Sequence, residues 1–193
     1  IVVCYSLLWR FERVWPAGLV RGWHVLTGVV AVYVTAWAAG EAVAGVDALA
    51  AAWGMAAQAA VGAGAIALLH WRLAATTWPG RRLAAVYRGM LPLVLALAGL
   101  TWTVVACASN GDPAPLVYLP LLSPLDLAQV AVPAVVAAWL FSRRRPPGAA
   151  WAPLAEVPAP VSVGLLAGTA FMVVNTLVAR HVHFHHGVPW QPV

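Results

Sequence analysis

Five long apolar stretches alternate with short polar gaps along this chain, and the gaps themselves alternate in charge. The stretches cover about 23–44, 48–70, 89–108, 124–141 and 160–179, each near the roughly 20 residues a helix needs to cross a hydrocarbon core. Only helices cross in series like this, because every backbone N–H and C=O in lipid must be satisfied within the segment. The pattern predicts an all-α fold: a polytopic transmembrane helix bundle with five complete spans, in which 1–193 is a single transmembrane region. The apolar residues 1–8 read as the end of a further span, and the chain as an internal part of a longer polytopic protein.

Ten of the eleven arginines fall in every second gap. Arg10, Arg13 and Arg21 occupy the first, Arg72, Arg81, Arg82 and Arg88 the third, and Arg143, Arg144 and Arg145 the fifth. The second and fourth gaps carry only acids, Glu41 and Asp47 and then Asp112. Short loops rich in Lys or Arg stay cytoplasmic. The expected place is therefore the bacterial inner membrane, with the arginine loops in the cytoplasm and the acidic loops and the His-rich segment in the periplasm. Seven tryptophans, Trp9, Trp15, Trp23, Trp71, Trp78, Trp139 and Trp151, fall at the expected inner boundary, where indole favours the headgroup layer.

Composition excludes an ordinary soluble domain. Hydrophobic residues make up 63% and charged residues 9%, against roughly 25% charged in soluble domains. The net charge of +5 and pI near 10.0 would suggest nucleic acid in a soluble protein, but here the excess lies in loops. Anionic lipid headgroups are the fitting partner, together with further transmembrane helices of a longer chain, and not nucleic acid. Cys4 and Cys107 fall at opposite ends of their spans, too far apart for a disulfide.

The second span is unlike the others. From 48 to 67, fourteen of twenty residues are Ala or Gly, including Gly62-Ala63-Gly64. Small side chains let membrane helices approach closely. This span is expected to be central and the least lipid-exposed, with Ala59 or Gly62→Leu overpacking the bundle. Gln58 at its middle needs a partner on a neighbouring helix or lines a cavity.

Candidate chemistry gathers at the acidic ends of the spans. Arg180 is the one arginine set against the charge rule, and His181, His183, His185 and His186 follow it. In a helix His181 and His185 share a face; in an extended segment His181, His183 and His185 share a side, and either spacing makes them weak metal candidates. Ser123, Pro124 and Asp126 fit the N-cap, N1 and N3 of the fourth span. Asp126 and Arg180 share a depth, so they are expected to lie as near neighbours with His181 close by, since paired charges are far less costly in a membrane.

The run Pro120-Leu121-Leu122-Ser123-Pro124-Leu125-Asp126-Leu127, with Asn175, Arg180, His181 and Gly187-Val188-Pro189-Trp190, resembles a large bacterial family of predicted membrane proteins, the domain of unknown function 2339. The resemblance implies a many-span inner-membrane protein much longer than 193 residues, often with an N-terminal coiled coil that this chain lacks. Asparagine usually stands in that family where this chain has Ser123, which weakens a role for the serine side chain. It carries no catalytic residue over.

Walker loops, GxSxG, HExxH and dinucleotide fingerprints are absent, and no cofactor is implied. Two function classes remain. One is a cell-envelope enzyme, such as a transferase of lipid-linked glycan, with Asp126, Arg180 and His181 as base, phosphate-binding group and proton shuttle. The other is a transporter or a membrane assembly or scaffold component without catalysis. The charge pattern makes one prediction outright: a cysteine at position 144 in a Cys-free background stays unlabelled by an impermeant reagent from outside, while one at position 112 is labelled. Labelling of position 144 from outside overturns the orientation.

Overall fold

The structure is a computed structural model that describes residues 2–71, 83–84, 86–142 and 159–191. Arg72, Arg81, Arg82, Trp78, Trp151 and Arg143 to Arg145 lie outside the described residues, so the expectations placed on them concern sequence alone. Within these bounds the fold is all helical. A short α1 (Val2–Phe11) precedes α2 (Ala17–Ala44) and α3 (Ala51–Trp71). A π-helical turn (Val86–Met90) leads into α4 (Leu91–Ala106), followed by α5 (Pro124–Ser142) and α6 (Ala159–His186). Five helices among the described residues are long and apolar enough to cross a membrane.

Contacts at each end show which helix termini meet. At one end Ala50 N–H, just before α3, donates to the carbonyl of Ala114 in the α4–α5 loop, and Trp53 Nε1 reaches Pro113 O at 3.2 Å and Ala114 O at 3.0 Å. At the other end His24 Nδ1 of α2 lies 2.8 Å from the hydroxyl of Tyr87, which donates to Tyr5 of α1 at 3.2 Å. The acidic gaps thus share one end of the bundle and the first arginine gap the other.

The π turn has a local cause. Pro92 has no N–H for the carbonyl four residues earlier, that of Arg88, and its ring crowds that carbonyl. Trp139 of α5 donates its indole N–H to Arg88 O at 3.4 Å instead. Trp139 is therefore a core residue, 1% exposed, and not the interfacial tryptophan its position suggests. It packs with Ile66, Val86, Leu91, Leu95 and Val136 in the main apolar core. Trp9 and Trp23 do face outward.

α3 packs against α2, α4 and α5, so it is central in its contacts. It is not the least exposed span. In the most apolar part of the helix, 28% of α3 residues are buried, against 44% for Val86–Ala106. The reason is side-chain length: Ala and Gly let α3 approach its neighbours but cannot fill the space between them. The close approach is also not at Gly62 and Gly64, where a Cβ would meet nothing within 4 Å. It is at Gly54, whose Cβ would lie 3.0 Å from the carbonyl oxygen of Gly40 in α2. Gln58, one turn further, lies across Gly40 and also lines a cavity.

α6 runs past the expected end at 179 to His186, because nothing breaks the helix before Gly187. That glycine takes φ +66° and donates its N–H to His183 O, a left-handed helix stop. Along α6, Phe171, Val174 and Val178 face outward, as a lipid-facing helix requires.

Gly54→Leu is expected to cost about 1–3 kcal/mol through backbone displacement, read as a lower unfolding temperature in detergent. Gly62→Leu is expected to fold as the parent does, because its side chain enters open space. Equal loss from both substitutions contradicts this packing.

Candidate functional site at the acidic end

Helix ends leave carbonyls without intrahelical partners, and α4 ends at Ala106, buried inside the bundle. Arg180, one turn and a half before the end of α6, fills that need. Its Nη2 donates to Ala106 O at 2.8 Å and to Ser109 O at 2.9 Å, and its Nε donates to Ser109 O at 3.2 Å. Its Nη1 donates to Asp126 Oδ1 and to Gln129 Oε1, both at 2.6 Å. Arg180 and Asp126 are both 0% exposed.

The helix dipoles favour this placement. The guanidinium sits at the negative end of α4, and Asp126 lies in the first turn of α5, at a positive end. Each charge therefore meets an opposite charge and an opposite partial charge, which offsets much of the desolvation it suffers. Gln129, one turn beyond Asp126, uses its other end to donate to Thr103 O at 3.2 Å and to Cys107 Sγ at 3.4 Å. Cys107 is buried and Cys4 exposed, and both are free thiols.

The loop over the arginine is shaped by its own polar side chains. The N–H groups of Gly111, Asp112 and Ala114 donate to Ser109 Oγ, Asn110 Oδ1 and Asp112 Oδ1, each two residues back. They hold Gly111 at φ +71°, and a Cβ there would lie 2.7 Å from Arg180 Nε. Only glycine fits this position.

Tyr118 closes the cluster from the loop. It is buried, donates to Asp126 Oδ2 at 3.0 Å, and stacks on Phe184 with centroids 4.5 Å apart and planes 17° apart. Burial pushes its phenol well above its ordinary range, and the charge of Asp126 and its hydrogen bond push the same way, with Arg180 opposing.

The expected neighbours Asp126 and Arg180 are thus in direct contact. His181 is exposed, and among the described residues it makes no hydrogen bond to either. Its ring lies against those of His185 (centroids 4.6 Å) and His186 (6.1 Å). The extended arrangement of the histidines does not occur, because α6 continues through them. His183 turns away: its Nδ1 lies 2.7 Å from Val188 O, and its ring meets Trp190, which donates to Ala108 O. Among the described residues no three His, Cys, Asp or Glu side chains are grouped to hold a metal, and two imidazoles fall short of the four ligands of a closed site. Ser123 precedes α5 as expected, but its hydroxyl donates back to Leu119 O at 3.1 Å.

Sequence reasoning missed Gln129, Tyr118 and Gly111 as members of this cluster. Gln129 left a signal, an amide three residues after Asp126 in an apolar span. It also missed the His24–Tyr87–Tyr5 group at the opposite end, where a lone buried histidine stands in apolar sequence.

The phenol of Tyr118 makes one pH prediction. Its folded pKa is raised above the unfolded value of about 10, so the stability it contributes is full below pH 10 and is lost as pH rises beyond it. Unfolding temperature is expected to fall above pH 10, and Tyr118→Phe to flatten that alkaline slope. An unchanged slope in the variant assigns the loss elsewhere.

No curated protein and no solved structure matches the chain. A family model described as predicted membrane protein (DUF2339) matches residues 1–193. An all-helical chain with five apolar spans and a buried charge cluster at one end agrees with that description, and the chain belongs to the DUF2339 family of predicted membrane proteins.

Proposed function

We propose that this region is a membrane-embedded assembly module, in which the Asp126–Arg180 cluster locks helices together and does not perform chemistry. One observation carries this reading. All five N–H groups of Arg180 are taken by protein acceptors, and the residue is wholly buried. A guanidinium in that state has no donor to offer a phosphate. Asp126 likewise has one oxygen on Arg180 and the other on Tyr118. The outward apolar faces of α2 and α6 then serve contact with lipid and with further helices of a longer chain. The arginine-rich gaps lie in the cytoplasm and the charge cluster near the periplasmic face of a bacterial inner membrane, as the positive-inside rule requires.

The competing reading is a lipid-linked glycan transferase with Asp126 as base, Arg180 on phosphate and His181 as shuttle. The two separate at His181, which is exposed and outside the hydrogen-bonded cluster. Under the assembly reading His181→Gln leaves unfolding temperature and cellular function unchanged. Arg180→Ala and Asp126→Ala each lose about 3–5 kcal/mol, the cost of leaving one buried charge unpaired, and function falls with protein level. Loss of function in a His181→Gln protein that accumulates and unfolds normally supports catalysis and overturns the lock. Complementation of a deletion strain beside thermal unfolding of the full-length protein reads both quantities.

A further inference from the structure

Four of the last six residues of α6 are histidines. On a helix, residues three or four apart are neighbours, so the spacing offers two pairs, His181 with His185 and His183 with His186. Among the described residues only the first pair is in ring contact, with centroids 4.6 Å apart and planes 44° apart. His183 is taken up elsewhere, its Nδ1 2.7 Å from Val188 O and its ring against Trp190. His181 and His185 are both exposed, and neither makes a hydrogen bond among the described residues.

The turn that carries this pair is anchored on its inner side. Arg180, next to His181, is bonded to α4 and α5, and Phe184, next to His185, stacks on Tyr118. Gly187 stops the helix just beyond, and Trp190 ties the following segment to Ala108 O. Helix ends ordinarily fray, which would separate two side chains one turn apart. Here the backbone is held from within the bundle while both imidazoles point to its outside.

Their separation matches a shared metal ion. A metal–imidazole bond of about 2.0–2.1 Å puts the ring centre about 3.2 Å from the metal. Two such rings meeting at a right angle have centres about 4.5 Å apart, and at the tetrahedral angle about 5.2 Å. The observed 4.6 Å agrees with the right angle. Right-angled nitrogen and oxygen sites suit tetragonal Cu(II) and Ni(II), and Cu(II) binds nitrogen ligands most tightly of the divalent first-row metals. His186 lies farther out, with its ring centre 6.1 Å from that of His181. No third His, Cys, Asp or Glu is grouped with the pair among the described residues.

We propose that His181 and His185 form an open two-imidazole chelate for Cu(II), with water completing the coordination. The ion would span one turn of α6, from the residue after Arg180 to the residue after Phe184, and so stabilise the end of the helix that carries the charge cluster. Water in the remaining positions leaves the ion exchangeable, unlike the ion of a closed four-ligand site. The assembly role of Asp126 and Arg180 does not depend on it.

The test uses the full-length protein in detergent, its purification tag removed, with Cu(II) alone as the probe. Electron paramagnetic resonance on the parent at substoichiometric Cu(II) is expected to show a tetragonal signal with two imidazole nitrogens. Titration is expected to show at least about hundredfold weaker binding at this site in His181→Gln and in His185→Gln, because loss of one arm removes the chelate advantage. His183→Gln and His186→Gln are expected to bind within about twofold of the parent. Unfolding temperature rises with Cu(II) in the parent and not in His181→Gln or His185→Gln, because a ligand that binds only the folded state stabilises it. In metal-free buffer both variants are expected to unfold as the parent does, and the nitrogen count is read on the parent in any case. A parent signal with fewer than two imidazole nitrogens overturns the proposal. So does unchanged affinity in His181→Gln or His185→Gln, or an equal loss in His186→Gln.

Discussion

A guanidinium inside a membrane protein must find acceptors for five N–H groups at once, and Arg180 finds them in four groups on two stretches of chain. Two are carbonyls at and beyond the end of α4, and the others are side chains on the first two turns of α5. Because the donors are held in a plane with fixed geometry, those pieces are fixed relative to one another and to α6. Among the described helices α6 packs on α4 and α5, and apolar contact between helices gives little advantage over contact with lipid tails. Directional polar contacts are what distinguish the two environments, so this cluster sets where α6 sits.

The same constraint shapes the loop above. Gly111 has no Cβ because Arg180 occupies the space, and the turns set by Ser109, Asn110 and Asp112 bring the backbone over it. The next part of the loop then bonds to Trp53 and to the residue before α3. Through that path the charge cluster reaches a helix that Arg180 itself never touches. Tyr118, held between Asp126 and Phe184, ties the loop back to α6.

At the opposite end neutral groups contribute to the packing. Pro92 frees the Arg88 carbonyl for Trp139, and the π turn carries Tyr87 to His24. Between the ends the bundle is held by the shape of small residues. Gly40 and Gly54 allow α2 and α3 to meet backbone to backbone, and Gly28 accepts Leu91. Where the small residues find no neighbour, around Gly62, a cavity remains.

Hydrophobic length and arginine spacing were enough to read five helices and their end-to-end sorting, because the cost of an unsatisfied backbone in lipid leaves no other way to cross. The contact of Asp126 with Arg180 was legible for the same reason: two opposite charges at one depth are far less costly together. Sequence could not tell which small residues make contact, since Gly54 and Gly62 lie on one Ala-rich helix with little to separate their faces. Nor could it show that Arg180 is fully occupied, because its acceptors include two backbone carbonyls, which every residue carries and no side chain advertises. Trp139 was misplaced on the same account: its partner is a carbonyl released by a proline on another helix. Spans follow from local chemistry, whereas the identity of each partner follows from helix rotation and approach, and only the tertiary structure decides those.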